Sequence, residues 1–146
     1  AATVFDHKKL QINGNYINGF SIGEKVSSVL KSMSVTNGTL KVLNSSKKEK
    51  KSTDIIATGD YITVYDADGK VFKQYQAVLY GDVDGDGEVN IFDHTEVKIH
   101  CWYAPSLTGA YLEAANVDTS SEGVDIFDMV EIKIYMWYNG TIKQTR

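Results

Sequence analysis

Hydrophobic positions alternate over residues 3–80 and recur at helical period from residue 91, so the two halves of the chain predict different secondary structure. In the first half, residues 9–13 (KLQIN) and 16–20 (YINGF) are short alternating segments around Asn13-Gly14, a hairpin signal. Residues 21–33 predict a helix, with Ser21 as cap, Glu24 three residues on, and Val26, Val29, Leu30 and Met33 at helical spacing. Residues 40–43 predict a strand after the Asn37-Gly38 turn. Residues 60–65 and 71–80 predict a second hairpin around the turn from Asp66 to Gly69, with Tyr75, Ala77 and Leu79 alternating against Gln74, Gln76 and Val78. The polar, basic stretch 44–53 (NSSKKEKKST) is expected to be a solvated loop. Residues 1–80 thus predict a small mixed sheet carrying one helix, a supporting module joined to the second half without a flexible linker.

The second half is duplicated. Residues 90–104 (NIFDHTEVKIHCWYA) and 125–139 (DIFDMVEIKIYMWYN) align at an offset of 35, with Ile91/Ile126, Phe92/Phe127, Asp93/Asp128, Glu96/Glu131, Lys98/Lys133, Ile99/Ile134, Trp102/Trp137 and Tyr103/Tyr138 identical. Each copy predicts a helix with two apolar stripes. His94, Val97 and Cys101, matched by Met129, Ile132 and Met136, form the inner face. Ile91, Phe92, Thr95, Ile99 and Trp102, bordered by Lys98 and Tyr103, form an outer stripe. Its copy is Ile126, Phe127, Val130, Ile134 and Trp137, with Lys133 and Tyr138. A short helix in a small domain cannot bury both, so a partner protein is expected to cover the outer stripe; the competing account is that residues 1–80 cover it.

Residues 81–93 (GDVDGDGEVNIFD) precede the first helix. Counted from Asp82, side-chain oxygens of Asp82, Asp84, Asp86, Asn90 and Asp93 occupy the liganding positions of a twelve-residue calcium loop of EF-hand spacing. Glu88 offers its backbone carbonyl, and Gly87 permits the sharp turn. The second loop aligns Asn116, Asp118, Asp125 and Asp128, with one residue inserted within Thr119-Ser120-Ser121-Glu122. Ser121 is the choice for its middle ligand, with Ser120 or Glu122 as substitutes, and Gly123 for its carbonyl. Three aspartates instead of four predict weaker calcium binding there. Position 12 of the first loop is Asp93 rather than a bidentate Glu, and a strand replaces the incoming helix, which disfavours a calcium-sensing switch.

Composition narrows the function. The formal charge of −4 argues against nonspecific nucleic-acid binding, and two calcium ions would bring the total to zero. One cysteine, Cys101, excludes an internal disulfide, and no apolar run reaches the ~18 residues of a membrane helix. The chain begins Ala1-Ala2-Thr3 without an initiator Met or signal peptide, and reads as a piece excised from the end of a longer protein. No catalytic constellation is present: His7 is isolated, and His94, His100 and Cys101 have no further soft ligand for zinc. An enzyme is not expected.

The tandem loop-helix repeat over residues 81–138 resembles the dockerin family, and residues 1–80 look like the small X-type companion modules that precede some dockerins. The resemblance implies an α+β chain with a β-rich N-terminal module followed by an all-α dockerin-like module at 81–146, two calcium ions, and a noncatalytic role. It further implies a secreted or cell-surface location, a monomeric chain, and attachment of a parent protein to a cohesin module of a scaffolding protein in a polysaccharide-degrading complex. The family's cohesin contacts carry over to Ile91, Phe92, Lys98, Ile99, Trp102 and Tyr103, and to Ile126, Phe127, Lys133, Ile134, Trp137 and Tyr138. Ile-Phe stands in both copies where the best-known dockerins often have Ser or Thr, so a more apolar cohesin surface is expected. Identical stripes suggest that a partner could engage either helix after a half-turn. The alternative is a calcium-stabilised adhesion module in which Tyr16, Tyr61, Tyr65, Phe72 and Tyr75 form a carbohydrate platform, although strand aromatics are more often core or cross-strand pairs.

Overall fold

The computed structural model describes residues 2–103, 105–118, 123–138 and 140–145. A five-stranded sheet is ordered β2-β3-β7-β6-β5: β2 (Gln11–Asn13), β3 (Tyr16–Asn18), β5 (Gly38–Leu43), β6 (Tyr61–Asp66) and β7 (Val71–Ala77). All its pairings are antiparallel except β3 with β7. A separate two-stranded ribbon joins β1 (Val4–Asp6) to β4 (Ser34–Thr36). Both predicted hairpins form: Asn13 pairs with Tyr16 across a two-residue turn, and β6 pairs with β7 with a register shift at Val64/Tyr65.

Helix α1 (Val26–Lys31) is shorter than the sequence predicts and is preceded by Lys25, not Ser21. Gly23 sits at φ 82°, a left-handed conformation no α-helix passes through. The Val26 N–H donates instead to the Asp54 carbonyl, and Glu24 is left to accept from the Ser21 N–H in a turn. Tertiary backbone pairing has displaced a local capping box. The basic stretch is mostly exposed, yet Lys50 turns inward, its Nζ donating to Asp60 and to the Ile55 carbonyl, both at 2.6 Å.

Helices α2 (Ile91–Trp102), α3 (Gly109–Ala115) and α4 (Ile126–Tyr138) complete the described elements. The repeat predicts α2 and α4, which pack on each other through Val97 and Ile132 with His94, Cys101, Met129 and Met136 partly buried around them. Helix α3 was not expected. Ala110, Ala114 and Ala115 bury a face of small side chains where bulky periodicity is absent.

The expected fold class, a β-rich module followed by an all-α dockerin-like module, is overturned. Among the described residues the structure is a small α+β fold with a five-stranded sheet and four helices, and the helices share a core with the sheet half. The segment leaving β7 forms the wall between two cores. Ala77 and Leu79 face the core of Ile17, Phe20, Val29 and Ile62; Val78 and Tyr80, alternating with them, belong to the core of Val97, Ala114 and Ile132. The C-terminal segment returns to this wall, where Gln144 accepts from the Tyr80 N–H at 2.8 Å and donates to its carbonyl at 2.9 Å. Asn18 of β3 donates to the Gln144 carbonyl at 2.8 Å, and the Tyr80 hydroxyl donates to Glu113 of α3 at 2.9 Å. The segment that follows β7, which ends at Ala77 rather than at the predicted residue 80, has both faces buried and holds each half against the other, a relation that a sequence pattern split by period does not express.

Candidate metal centre

Residues 81–93 wrap so that carboxylate oxygens of Asp82, Asp84, Asp86 and Asp93 lie within 4.8 Å of one another. These four residues can hold a metal ion, and an all-oxygen donor set suits a hard cation. Asp82 and Asp93 are fully buried while Asp84 and Asp86 are exposed, so the site has a dry floor and a wet mouth.

Backbone N–H groups fix the floor. Asp93 accepts from the N–H groups of Val83 (2.7 Å), Asp84 (3.1 Å) and Asn90 (2.8 Å). Asp82 accepts from Asp86 (3.1 Å), Gly87 (3.0 Å) and Thr58 (2.8 Å). Asp84 and Asp86 each accept one N–H, from Asp86 at 3.2 Å and Glu88 at 2.9 Å. Gly87 has φ 87°, and a Cβ there would lie 2.6 Å from Ile55, so both conformation and proximity require glycine.

The expected ligand Asn90 is the N-cap of α2: its side chain accepts from the Phe92 N–H at 3.1 Å while Asp93 reaches back to its own N–H, a capping box built from a loop residue and a cluster carboxylate. The side chain of Glu88 is exposed.

Burial first, and then their mutual proximity, raises the proton affinity of Asp82, Asp84 and Asp93. Burial pushes Asp82 up to about 8 and Asp93 to about 7; the N–H donors pull both down, and each is raised further by a neighbouring aspartate, Asp93 beside Asp82 and Asp84 beside Asp93. Asp84 is also raised, first by burial and then by Asp86. A cation among these carboxylates would replace the protons they otherwise favour.

The second loop repeats the anchor across its insertion. Asp128, buried, accepts from the N–H groups of Asp118 at 2.8 Å and Asp125 at 2.7 Å, and Asp125 accepts from Phe127 at 3.0 Å. These bonds match those of Asp93 with Asp84 and Asn90, and of Asn90 with Phe92, so the alignment of Asp118, Asp125 and Asp128 has a geometric counterpart. Burial, then the charge of Asp125, pushes Asp128 up to about 6. Asn116 ends α3, and Gly123 lies in the left-handed region at φ 78°. Ser121, with Thr119, Ser120 and Glu122, lies outside the described residues.

Sequence reasoning missed the support from the first half. Thr58 donates its N–H to Asp82, and its hydroxyl bridges the carbonyl and N–H of Leu79 at 3.1 and 3.0 Å, riveting residue 58 to the wall and the loop together. The ring of Tyr111 on α3 lies over Gly59 and Gly85. No local signal marks Thr58, which is 24 residues from its partner. His100, which the sequence brings up only as a zinc ligand, accepts the Ser106 and Leu107 N–H groups on Nδ1, each at 3.1 Å.

Both outer stripes are exposed. Phe92 and Trp102 are 66% and 60% accessible, and Phe127 and Trp137 are 59% and 67%. Ile91, Thr95, Lys98, Ile99 and Tyr103 on α2, and Ile126, Val130, Lys133, Ile134 and Tyr138 on α4, are exposed with them. The competing account, in which residues 1–80 cover a stripe, therefore does not hold. The five-aromatic platform does not assemble: Tyr16 packs on the second core, the lysines 47 and 41 lie over the rings of Tyr61 and Tyr65, and Phe72 and Tyr75 line a different cavity.

The fold and site define a small α+β protein with an acidic cluster that could hold a metal ion and a duplicated, solvent-exposed apolar helix face. Among its described residues no helix is long and apolar enough to cross a membrane. No protein-family model matches the chain, and neither characterised proteins nor solved structures show significant similarity to it.

Proposed function

We propose that the protein is a noncatalytic, calcium-dependent docking element that attaches its parent secreted protein to a cohesin module of a scaffolding or cell-surface protein in an extracellular polysaccharide-degrading complex. The observation that carries this reading is the exposure of both outer stripes at matching positions. Each offers three aromatic rings; at about 150–250 Å² per ring and roughly two-thirds exposed, they present about 400 Å² before Ile91 and Ile99, or Ile126 and Ile134, are added. That is a large part of the roughly 800 Å² per partner of a standard interface. Lys98 and Lys133 provide a polar rim. A cleft of about 470 Å³ bordered by Asn90, Ile91, Tyr135 and Met136 adjoins the first stripe and offers room for a partner side chain.

Calcium would be held in the first loop by Asp82, Asp84, Asp86, Asn90 and Asp93 with the Glu88 carbonyl, and in the second, more weakly, by Asn116, Asp118, Ser121, Gly123, Asp125 and Asp128. Each loop caps a docking helix, so neutralising the acids would fix where that helix begins. The test is to immobilise the chain and pass purified cohesin modules and cell-envelope proteins over it, with calcium or a chelator. A cohesin retained with calcium and released by chelation is expected. If no cohesin is retained by the folded, calcium-loaded chain, the reading is overturned.

A further inference from the structure

Residues 56–60 (IATGD) are a continuous buried run without regular secondary structure, just before β6. Loops normally cross the surface, because a buried backbone must pair its polar groups. Every N–H of this run is paired. Ile56 donates to the Glu24 carbonyl at 2.8 Å, Gly59 to that of Ala77 at 3.0 Å and Asp60 to that of Ala57 at 3.1 Å. Ala57 donates to the Asp60 carboxylate at 2.9 Å, and Thr58 to that of Asp82 at 2.8 Å. Lys50 ties the two ends of the segment together, its Nζ donating to the Ile55 carbonyl and to Asp60, both at 2.6 Å. The segment also lies directly against the acidic loop: a Cβ on Gly85 would fall 2.7 Å from the Thr58 carbonyl oxygen, and one on Gly87 would fall 3.0 Å from that of Ile56. Among the described residues, six N–H groups hold Asp82 and Asp93; five belong to residues 83–90, and the sixth is that of Thr58.

We propose that Thr58 is a positioning residue for the first cation loop, and that the Lys50–Asp60 pair tunes the affinity of that loop by holding residues 55–60 in place. The inference rests on the calcium reading of the loop. A carboxylate that binds a metal is aimed by its own hydrogen-bond donors, and losing such an outer partner typically costs about 10–100-fold in metal affinity. The Thr58 N–H is aimed in turn by its own hydroxyl, which is bonded to both the carbonyl and the N–H of Leu79, and by the closed turn that Asp60 makes with Ala57. The second loop is anchored differently. Asp128 takes the N–H groups of Asp118 and Asp125, both within its own repeat. The first half of the chain therefore acts on one cation loop and not on the other. Coupling of this kind is reciprocal, so calcium bound beside Asp82 tightens residues 57–59 in return.

The test is a calorimetric calcium titration of the parent, Thr58→Val, Thr58→Ser and Lys50→Met, each shown to be folded by circular dichroism, with Asp84→Ala identifying the transition that belongs to the first loop. Amide hydrogen exchange of the unsubstituted chain, with calcium and with chelator, accompanies it. Thr58→Val keeps the N–H but loses the hydroxyl bridge, and is expected to weaken the first site about tenfold or more, as is Lys50→Met. Thr58→Ser restores the hydroxyl and should stay within about twofold of the parent, and the second site should be unchanged in all three. Calcium should raise protection at Ala57, Thr58 and Gly59 by more than it does in β5. A purely structural role would lower the melting temperature without separating the two sites. Unchanged first-site affinity in both Thr58→Val and Lys50→Met, equal loss at both sites, or no added protection at residues 57–59 overturns the proposal and leaves the calcium reading standing. The exchange measurement needs no substitution, so it decides even where a variant does not fold. A folded parent that binds no calcium overturns both.

Discussion

Asp93 and Asp84 belong to one acidic cluster but do different work, and the structure separates them. Replacing Asp93 by Ala strands three backbone N–H groups, those of Val83, Asp84 and Asn90, beneath a buried carboxylate position. At about 1–2 kcal/mol for each orphaned donor, the loss is about 3–6 kcal/mol whether or not metal is bound. Set against a total of roughly 5–15 kcal/mol, that is enough to melt the loop and release the start of α2. Asp84 is exposed and accepts a single N–H at 3.2 Å, so Asp84→Ala in chelator should cost less than about 1 kcal/mol. Calcium adds a cost to Asp84→Ala that chelator hides. At a hundredfold excess over Kd it should stabilise the parent by about 2.7 kcal/mol, and a hundredfold weaker site would gain only about 0.4 kcal/mol. The assay is urea unfolding followed by far-ultraviolet circular dichroism, because Trp102 and Trp137 are already solvated and their fluorescence would report little. If Asp84→Ala in chelator loses as much as Asp93→Ala, the hydrogen-bond reasoning fails. If calcium stabilises Asp84→Ala as fully as the parent, the cluster is not the cation site.

Replacing Ile91, Phe92 and Ile99 together should leave cohesin binding largely intact because α4 repeats the face, whereas replacing Ile126, Phe127 and Ile134 as well should abolish it. Each triple variant should melt near the parent, and loss of binding from the first alone would reject interchangeable helices. Asp82 and Asp93 have folded values near 8 and 7, above their unfolded values, so without metal their contribution to stability is complete below about pH 4 and lost as pH rises through 7 to 8. Melting temperature in chelator should therefore fall between pH 5 and 8, and calcium should remove most of that fall; a rise in chelator would show the sign to be wrong. Lys50→Met leaves buried Asp60 without its cation, and should cost about 3–5 kcal/mol at pH 7 in urea titrations. The cost should shrink at pH 4, because burial already raises the proton affinity of Asp60; an equal cost at both values would argue against a stranded charge.

Short-range chemistry was legible in the amino-acid order alone. Asp82, Asp84, Asp86 and Asp93 are close in sequence, and a tight glycine-bearing turn brings them together wherever the loop is placed. The period of α2 and α4 separates Val97 and Ile132 from Phe92 and Phe127, and the hairpin at Asn13-Gly14 follows from turn geometry. What only the tertiary structure decided depends on contacts distant along the chain. Gly23 and pairing with Asp54 shortened α1 against its own capping signal. Thr58 reached Asp82, Gln144 closed on Tyr80, and α3 filled the second core with alanines that carry no bulky periodicity. The segment after β7, bearing Leu79 on one face and Val78 and Tyr80 on the other, joined halves that differ in period, because burial is settled by what packs on each face rather than by local propensity. The same packing left both outer stripes in water: periodicity shows that a helix has a second apolar face, but only the assembled molecule determines whether anything lies close enough to cover it.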